Sequence, residues 1–188
     1  PTGAVYSIAT GNWTSSGTWS YTSGGLSCSC TPTSADDVYI ENNFTVTMDG
    51  NVGTSKSLII QTGGIATWAS AFTTNVGAGG ITITAAGDIT TGTGAGILIT
   101  TGNLTLNKVL TSTNVTIRMQ SGSGQTISGT GTLSILDISA NTTNNGNLTV
   151  TTTLASTIAS TLTQGTSATL SFGGTTAIGP ALDASASG

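Results

Sequence analysis

Charge is scarce in this sequence. Three Lys and Arg and seven Asp and Glu make up 5% of the 188 residues, and there is no His, where an ordinary globular domain is roughly 25% charged. Without His, a Ser-His-Asp triad, a histidine-ligated metal and a histidine-ligated haem are excluded. Three cations against a net charge of -4 cannot track a phosphate backbone or an anionic lipid surface, so neither nucleic acid nor a membrane is an expected partner. Long apolar runs are missing too. The longest aliphatic runs, such as Leu58-Ile59-Ile60, hold three residues, far short of the roughly 18 needed to span a bilayer. The stretch Pro1 to Thr10 lacks the basic and apolar blocks of a secretory signal, so a secreted protein would stand here in its mature form.

Proline is scarce as well, at three residues, yet the chain does not read as disordered, because 36% of it is hydrophobic and its mean hydropathy is +0.23. Small neutral residues replace the missing charge: about forty Thr, about twenty Ser and 27 Gly. Thr, Val and Ile are stiff at χ1 and suit a pleated surface, so the expected class is all-β.

Two textures divide the chain. Residues 1–50 hold Trp13, Trp19, all three Tyr, both Cys and four of the seven acids, and read as an N-terminal cap or entry module. Residues 51–188 are a monotone of short runs such as Ile81-Thr82-Ile83, Ile97-Leu98-Ile99, Leu104-Thr105-Leu106, Leu133-Ser134-Ile135 and Leu148-Thr149-Val150, separated by Gly, Asn and Ser. Apolar residues alternating with Thr or Ser mark strands with one face buried. Leu58, Ile81, Leu104, Ile127 and Val150 recur every 23 residues, which suits one turn of a solenoid. The expectation is a right-handed parallel β-helix of about six coils over 51–188, with inward Leu, Ile and Val, outward Thr and Asn, and Gly at corners. An antiparallel sandwich is the competing architecture, but its solvent faces normally carry more charge.

The opening Gly11-Asn12-Trp13 with Thr18-Trp19, the turn and strand Asp36-Asp37-Val38-Tyr39-Ile40, and the strand Phe44-Thr45-Val46-Thr47 together resemble the start of secreted cell-surface β-solenoid proteins of bacteroidete-type bacteria. The resemblance implies an adhesin-like or filament-forming module, exported through the type IX route and displayed outside the cell. The chain is shorter than typical relatives and shows no separate C-terminal sorting domain. It is therefore expected as either a segment of a longer parent chain or a compact subunit that assembles with others.

Candidate chemistry is sparse. Parallel β-helices include polysaccharide lyases and hydrolases, which need two carboxylates about 5 to 10 Å apart. Asp36 and Asp37 are the only adjacent acids; neighbours on an extended segment point oppositely, so turn capping suits them better. Asp88 and Asp137 read as isolated, and Arg118 as one of three scattered cations. Asp36, Asp37, Glu41 and Asp49 are weak Ca²⁺ candidates, since their spacing is not that of an EF-hand. No cofactor is expected.

Cys28 and Cys30 form either a local bridge or free or intermolecular thiols, with metal binding a third option. Trp13 and Trp19 either cap the first rung or form a sugar-stacking platform. Thr-x-Thr triplets at 45–47, 82–84, 91–93 and 111–113 raise ice binding, but their offsets of 37, 9 and 20 residues hold no single register. Six Asn-x-Ser/Thr sequons, at Asn12, Asn43, Asn103, Asn114, Asn141 and Asn147, are close to the number that this composition produces by chance.

The expected function is therefore a non-enzymatic extracellular structural module that assembles by end-to-end stacking or strand addition. Its uncapped end is expected at Thr175 to Gly188, which offers only small residues, Pro180 and Asp183. The alternative is a carbohydrate-binding or carbohydrate-active β-helix, the latter using Asp36, Asp37 or Asp137 with Ca²⁺.

Overall fold

The apolar and hydroxyl alternation fixes which way each strand turns its side chains, and the computed structural model shows where those strands go. It describes residues 3–51, 55–120, 124–156, 160–174, 176–178 and 181–183. The chain is all-β and winds as a parallel β-solenoid, with about six turns between the strands Ser55–Ile60 and Ala181–Asp183. Each turn passes over three faces.

The first face stacks Ala4–Ser7, Asp37–Ile40, Ser55–Ile60, the second half of Thr73–Ile83, Leu104–Leu106, Gln125–Ser128, Thr142–Asn144, Thr161–Gln164 and Ala181–Asp183. On the second lie Gly11–Asn12, Thr45–Met48, Ile65–Trp68 and Asp88–Ile89, then the bridge from Val109 to Thr132, the first halves of Thr130–Ser139 and Asn147–Ala155, and Thr169–Phe172. The third stacks the first half of Thr73–Ile83, Ile97–Thr100, Thr116–Gln120, the second halves of Thr130–Ser139 and Asn147–Ala155, and Thr176–Ile178. Among the described strands the one antiparallel pair is Ala4–Ser7 with Trp19–Ser20, which lies along the outer edge of the first rung. Parallel stacking thus already includes strands within residues 1–50.

The 23-residue comb is physical for four of its five teeth. Leu58 lies beside Ile81, Ile81 beside Leu104, and Leu104 beside Ile127, each at most 1% exposed. The next neighbour of Ile127 is Asn144, 17 residues on, while Val150 sits beside Leu133 on the second face. The turn shortens because Thr130–Ser139 runs from the second face onto the third as one strand, rounding the corner at the register shift between Leu133 and Ile135. A bulge takes the place of a loop there.

The core is a narrow column. Val38, Ile40, Leu58, Ile60, Leu98, Met119, Leu136 and Val150 are fully buried along it, and Trp13 and Trp19 close it at the N-terminal end. Each large aliphatic side chain buried this way stabilises the fold by about 1.5–3 kcal/mol. Where the coil shortens, inward amides replace aliphatics. Gln125 Nε2 donates to the carbonyls of Thr100 (3.1 Å) and Gly102 (2.7 Å), and Asn144 Nδ2 donates to that of Thr169 (2.9 Å). These bonds take up carbonyls at strand ends and in the corner at Gly102.

Candidate functional site

The four acids weighed for Ca²⁺ are not brought together. Asp36 is buried and ties a turn: its carboxylate accepts from the Thr33 N–H (2.8 Å), the Thr33 hydroxyl (2.6 Å) and the Gly3 N–H (3.3 Å). Asp37 points outward from the first face, where it pairs with Lys56 Nζ at 2.8 Å and accepts from the Ser57 hydroxyl at 2.6 Å. These donors hold its carboxyl below the usual aspartate range, the Lys56 bond first among them. Asp49 accepts from the Thr14 N–H and hydroxyl at 3.2 and 2.5 Å, and Glu41 stands half-buried just past Asp37–Ile40. Among the described residues no three His, Cys, Asp or Glu side chains converge on a metal position.

The two N-terminal tryptophans pack on each other edge to face, with centroids 5.2 Å apart, and Trp19 Nε1 donates to the Trp13 carbonyl at 2.8 Å. Both are at most 2% exposed. Neither ring presents a face to a sugar. An outward aromatic pair sits instead on the first face, where Tyr6 and Tyr39, neighbours on adjacent rungs, stack at 4.8 Å and 16°. Their separation equals the rung spacing. The rings therefore spend their faces on each other and turn edges outward, which is a strand ladder rather than a platform.

Register also joins two charges that looked isolated in sequence. Arg118 and Asp137 are direct neighbours on the third face, with Arg118 Nε 2.7 Å from Asp137 Oδ2 and the Ser139 hydroxyl donating to Oδ1 at 2.8 Å. Asp137 is 3% exposed although it points away from the core. The 19-residue separation carries no motif; the only available signal was that it approximates one coil. Asp88 likewise has a partner one turn on, accepting from the Thr111 N–H and hydroxyl at 3.1 and 3.0 Å.

Hydroxyl rows cover much of the remaining surface. Thr82, Thr105 and Ser128 are consecutive outward neighbours on the first face, with Thr105 and Ser128 hydroxyls 3.1 Å apart. Two of the triplets weighed for ice binding do meet, since Thr91 and Thr113 hydroxyls lie 3.4 Å apart. The other two lie apart, 45–47 on the second face and 82–84 starting on the first. Cys28 and Cys30 are joined as a disulfide with Cα atoms 5.1 Å apart, in the excursion of residues 21–36 that leads from the Trp19–Ser20 edge to the second rung.

These features define a parallel β-solenoid whose described charges serve mainly as local ties between rungs, under a surface of neutral hydroxyls and amides. The G8 domain family model matches residues 18–145, and the chain belongs to that family. No curated protein and no solved structure shows a match. No helix among the described residues is long and apolar enough to cross a membrane.

Proposed function

We propose that this chain is a non-enzymatic extracellular structural module, a β-solenoid unit of a surface filament or adhesin that joins its neighbour end to end. The carrying observation is Phe172. It continues the inward column of Leu133 and Val150 on the second face, yet is 37% exposed, whereas those two are buried. A further coil laid on Thr169–Phe172, from a second copy or from the remainder of a longer parent chain, would cover it, and the edge that this strand presents among the described strands would pair as the rungs beneath it pair. A head-to-tail contact of this kind does not close on itself and so propagates. The near absence of charge leaves little long-range repulsion to oppose it.

Membership of the G8 domain family and the β-solenoid fold support the extracellular setting, and the type IX route rests on the resemblance of residues 11–47 to secreted bacteroidete-type surface proteins alone. The coil end at 175–188 lies largely outside the described residues. Light scattering across a dilution series tests the reading. The intact chain is expected to grow with concentration and Phe172→Glu to stay monomeric; equal sizes for both would contradict it.

A carbohydrate-contacting role is the second reading, favoured by Arg118 beside the buried Asp137. Product release from a polysaccharide panel, abolished by Asp137→Asn, would place it first.

A further inference from the structure

We propose that the Cys28–Cys30 bridge is a thiol–disulfide exchange site, with small or protein-borne thiols as its substrates. A structural staple ties distant parts of a chain, and its gain grows with the loop it closes. This bridge spans a sequence separation of two, so it closes very little loop entropy. It does not tie down the 21–36 excursion that contains it. That excursion is held by other bonds: the Cys28 N–H to the Trp19 carbonyl at 2.9 Å at one end, and the Asp36 carboxylate on Thr33 at the other.

What the bridge brackets is Ser29. Its φ of 52° lies in the left-handed region, which costs a serine free energy relative to extended backbone, and its N–H donates to the Ser27 hydroxyl oxygen at 3.1 Å. Opening the bridge releases Ser29, a release that favours reduction. Exposed disulfides and those held with local strain are the ones that exchange readily.

Access and the product state fit the same role. Both cysteines are half-buried, Ser27 and Ser29 beside them are exposed, and Leu26 is 93% exposed. No charged residue occurs from Tyr21 to Ala35, so an incoming thiolate meets no charge from its immediate surroundings. Cys28 Sγ lies 3.3 Å from the Trp19 carbonyl oxygen, which would accept the S–H of a reduced Cys28. Trp19 itself is fully buried in the core, against which Cys28 and Cys30 pack.

The exchange balances with glutathione as the thiol. One glutathione thiolate attacks a bridge sulfur, forming a mixed disulfide and releasing the other cysteine as a thiolate, which takes up a proton. A second glutathione thiolate then attacks the glutathione sulfur of the mixed disulfide. This frees the remaining cysteine thiol and yields one glutathione disulfide. Two electrons and two protons pass from two glutathiones to Cys28 and Cys30.

The test is a titration of the full chain in glutathione redox buffers, quenched by alkylation and read by mass, with melting followed in parallel. Ser29→Val disfavours the left-handed conformation further, and Ser29→Asn tolerates it better. The glutathione level for half-reduction is expected to rise in the order Val, Ser, Asn, spanning about fivefold. The reduced wild-type chain is expected to melt within a few degrees of the oxidised one. Reduction only under conditions that unfold the chain, or equal reducibility of all three sequences, would overturn the proposal. Should a variant fail to fold, the wild-type titration and its melting curve decide alone.

Discussion

At the scale of single residues, the ordinary surface rules and the solenoid's own geometry can be tested separately. Asp37 carries the ordinary case. Its carboxyl is held below its usual value of 3.8 by Lys56 and Ser57, so it contributes stability that is full above the unfolded aspartate range. That contribution falls away as pH drops through the lower folded value. Asp37→Asn is therefore expected to lower the urea midpoint slightly at neutral pH and to leave it unchanged once the pH is below the lowered folded value, where the carboxyl is protonated and both forms are uncharged. A pH-independent difference would assign the effect to packing. Half-exposed pairs of this kind contribute little, so the loss at pH 7 is small and shrinks with added salt. Gly80 carries the geometric case: its φ is 78°, and a Cβ there would lie 2.3 Å from the Asn103 carbonyl oxygen of the next rung. Gly80→Ala is expected to cost about 2–3 kcal/mol in denaturant unfolding, since strained backbone and a backbone clash add. A loss under about 0.5 kcal/mol would mean that the rungs are spaced otherwise.

The element scale is where parallel stacking acts, because each strand has neighbours a full turn away in sequence. Arg118→Met leaves Asp137 nearly buried beside an apolar side chain, and an expected loss of about 2–4 kcal/mol follows from stranding that charge. Adding Asp137→Leu should restore most of it; a double variant as unstable as the single one would show that the ion pair is not the source. Several strands were legible in the sequence, since Ile81-Thr82-Ile83 and Leu104-Thr105-Leu106 declare one buried face by alternation alone, whereas polar ones such as Thr142–Asn144 were not. Four teeth of the comb were legible as well, because coils of constant length put Leu58, Ile81, Leu104 and Ile127 in one column. The break after Ile127 was not: a bulge replaces a corner loop between Leu133 and Ile135, and period-2 alternation says nothing about where a strand changes face. The Arg118–Asp137 pair was hidden for the same reason, its contact depending on a register that only the accumulated coil lengths determine. The tryptophans were legible as aromatics near the start, but their burial against each other required knowing that the 21–36 excursion returns to lay Cys28 and Cys30 against the core beside them.

For the whole molecule, the fold turns a weakly charged, Thr-rich sequence into a repeating surface in which one rung is a template for the next. Solenoids gain stability from nearest-neighbour rung interfaces, so an added rung is favourable wherever an inward column remains uncovered. Phe172 is such a position among the described residues, and it links the residue-level exposure to assembly. The Cys28–Cys30 site lies in the excursion beside the Trp13 and Trp19 end of the core, so its exchange chemistry is independent of coupling at the Phe172 end. Electron microscopy of the intact chain over a wide concentration range tests end-to-end assembly most directly. The account predicts unbranched rods of one solenoid's width that lengthen with concentration and are absent for Phe172→Glu. Uniform single particles at every concentration, or aggregates that persist in Phe172→Glu, would contradict it.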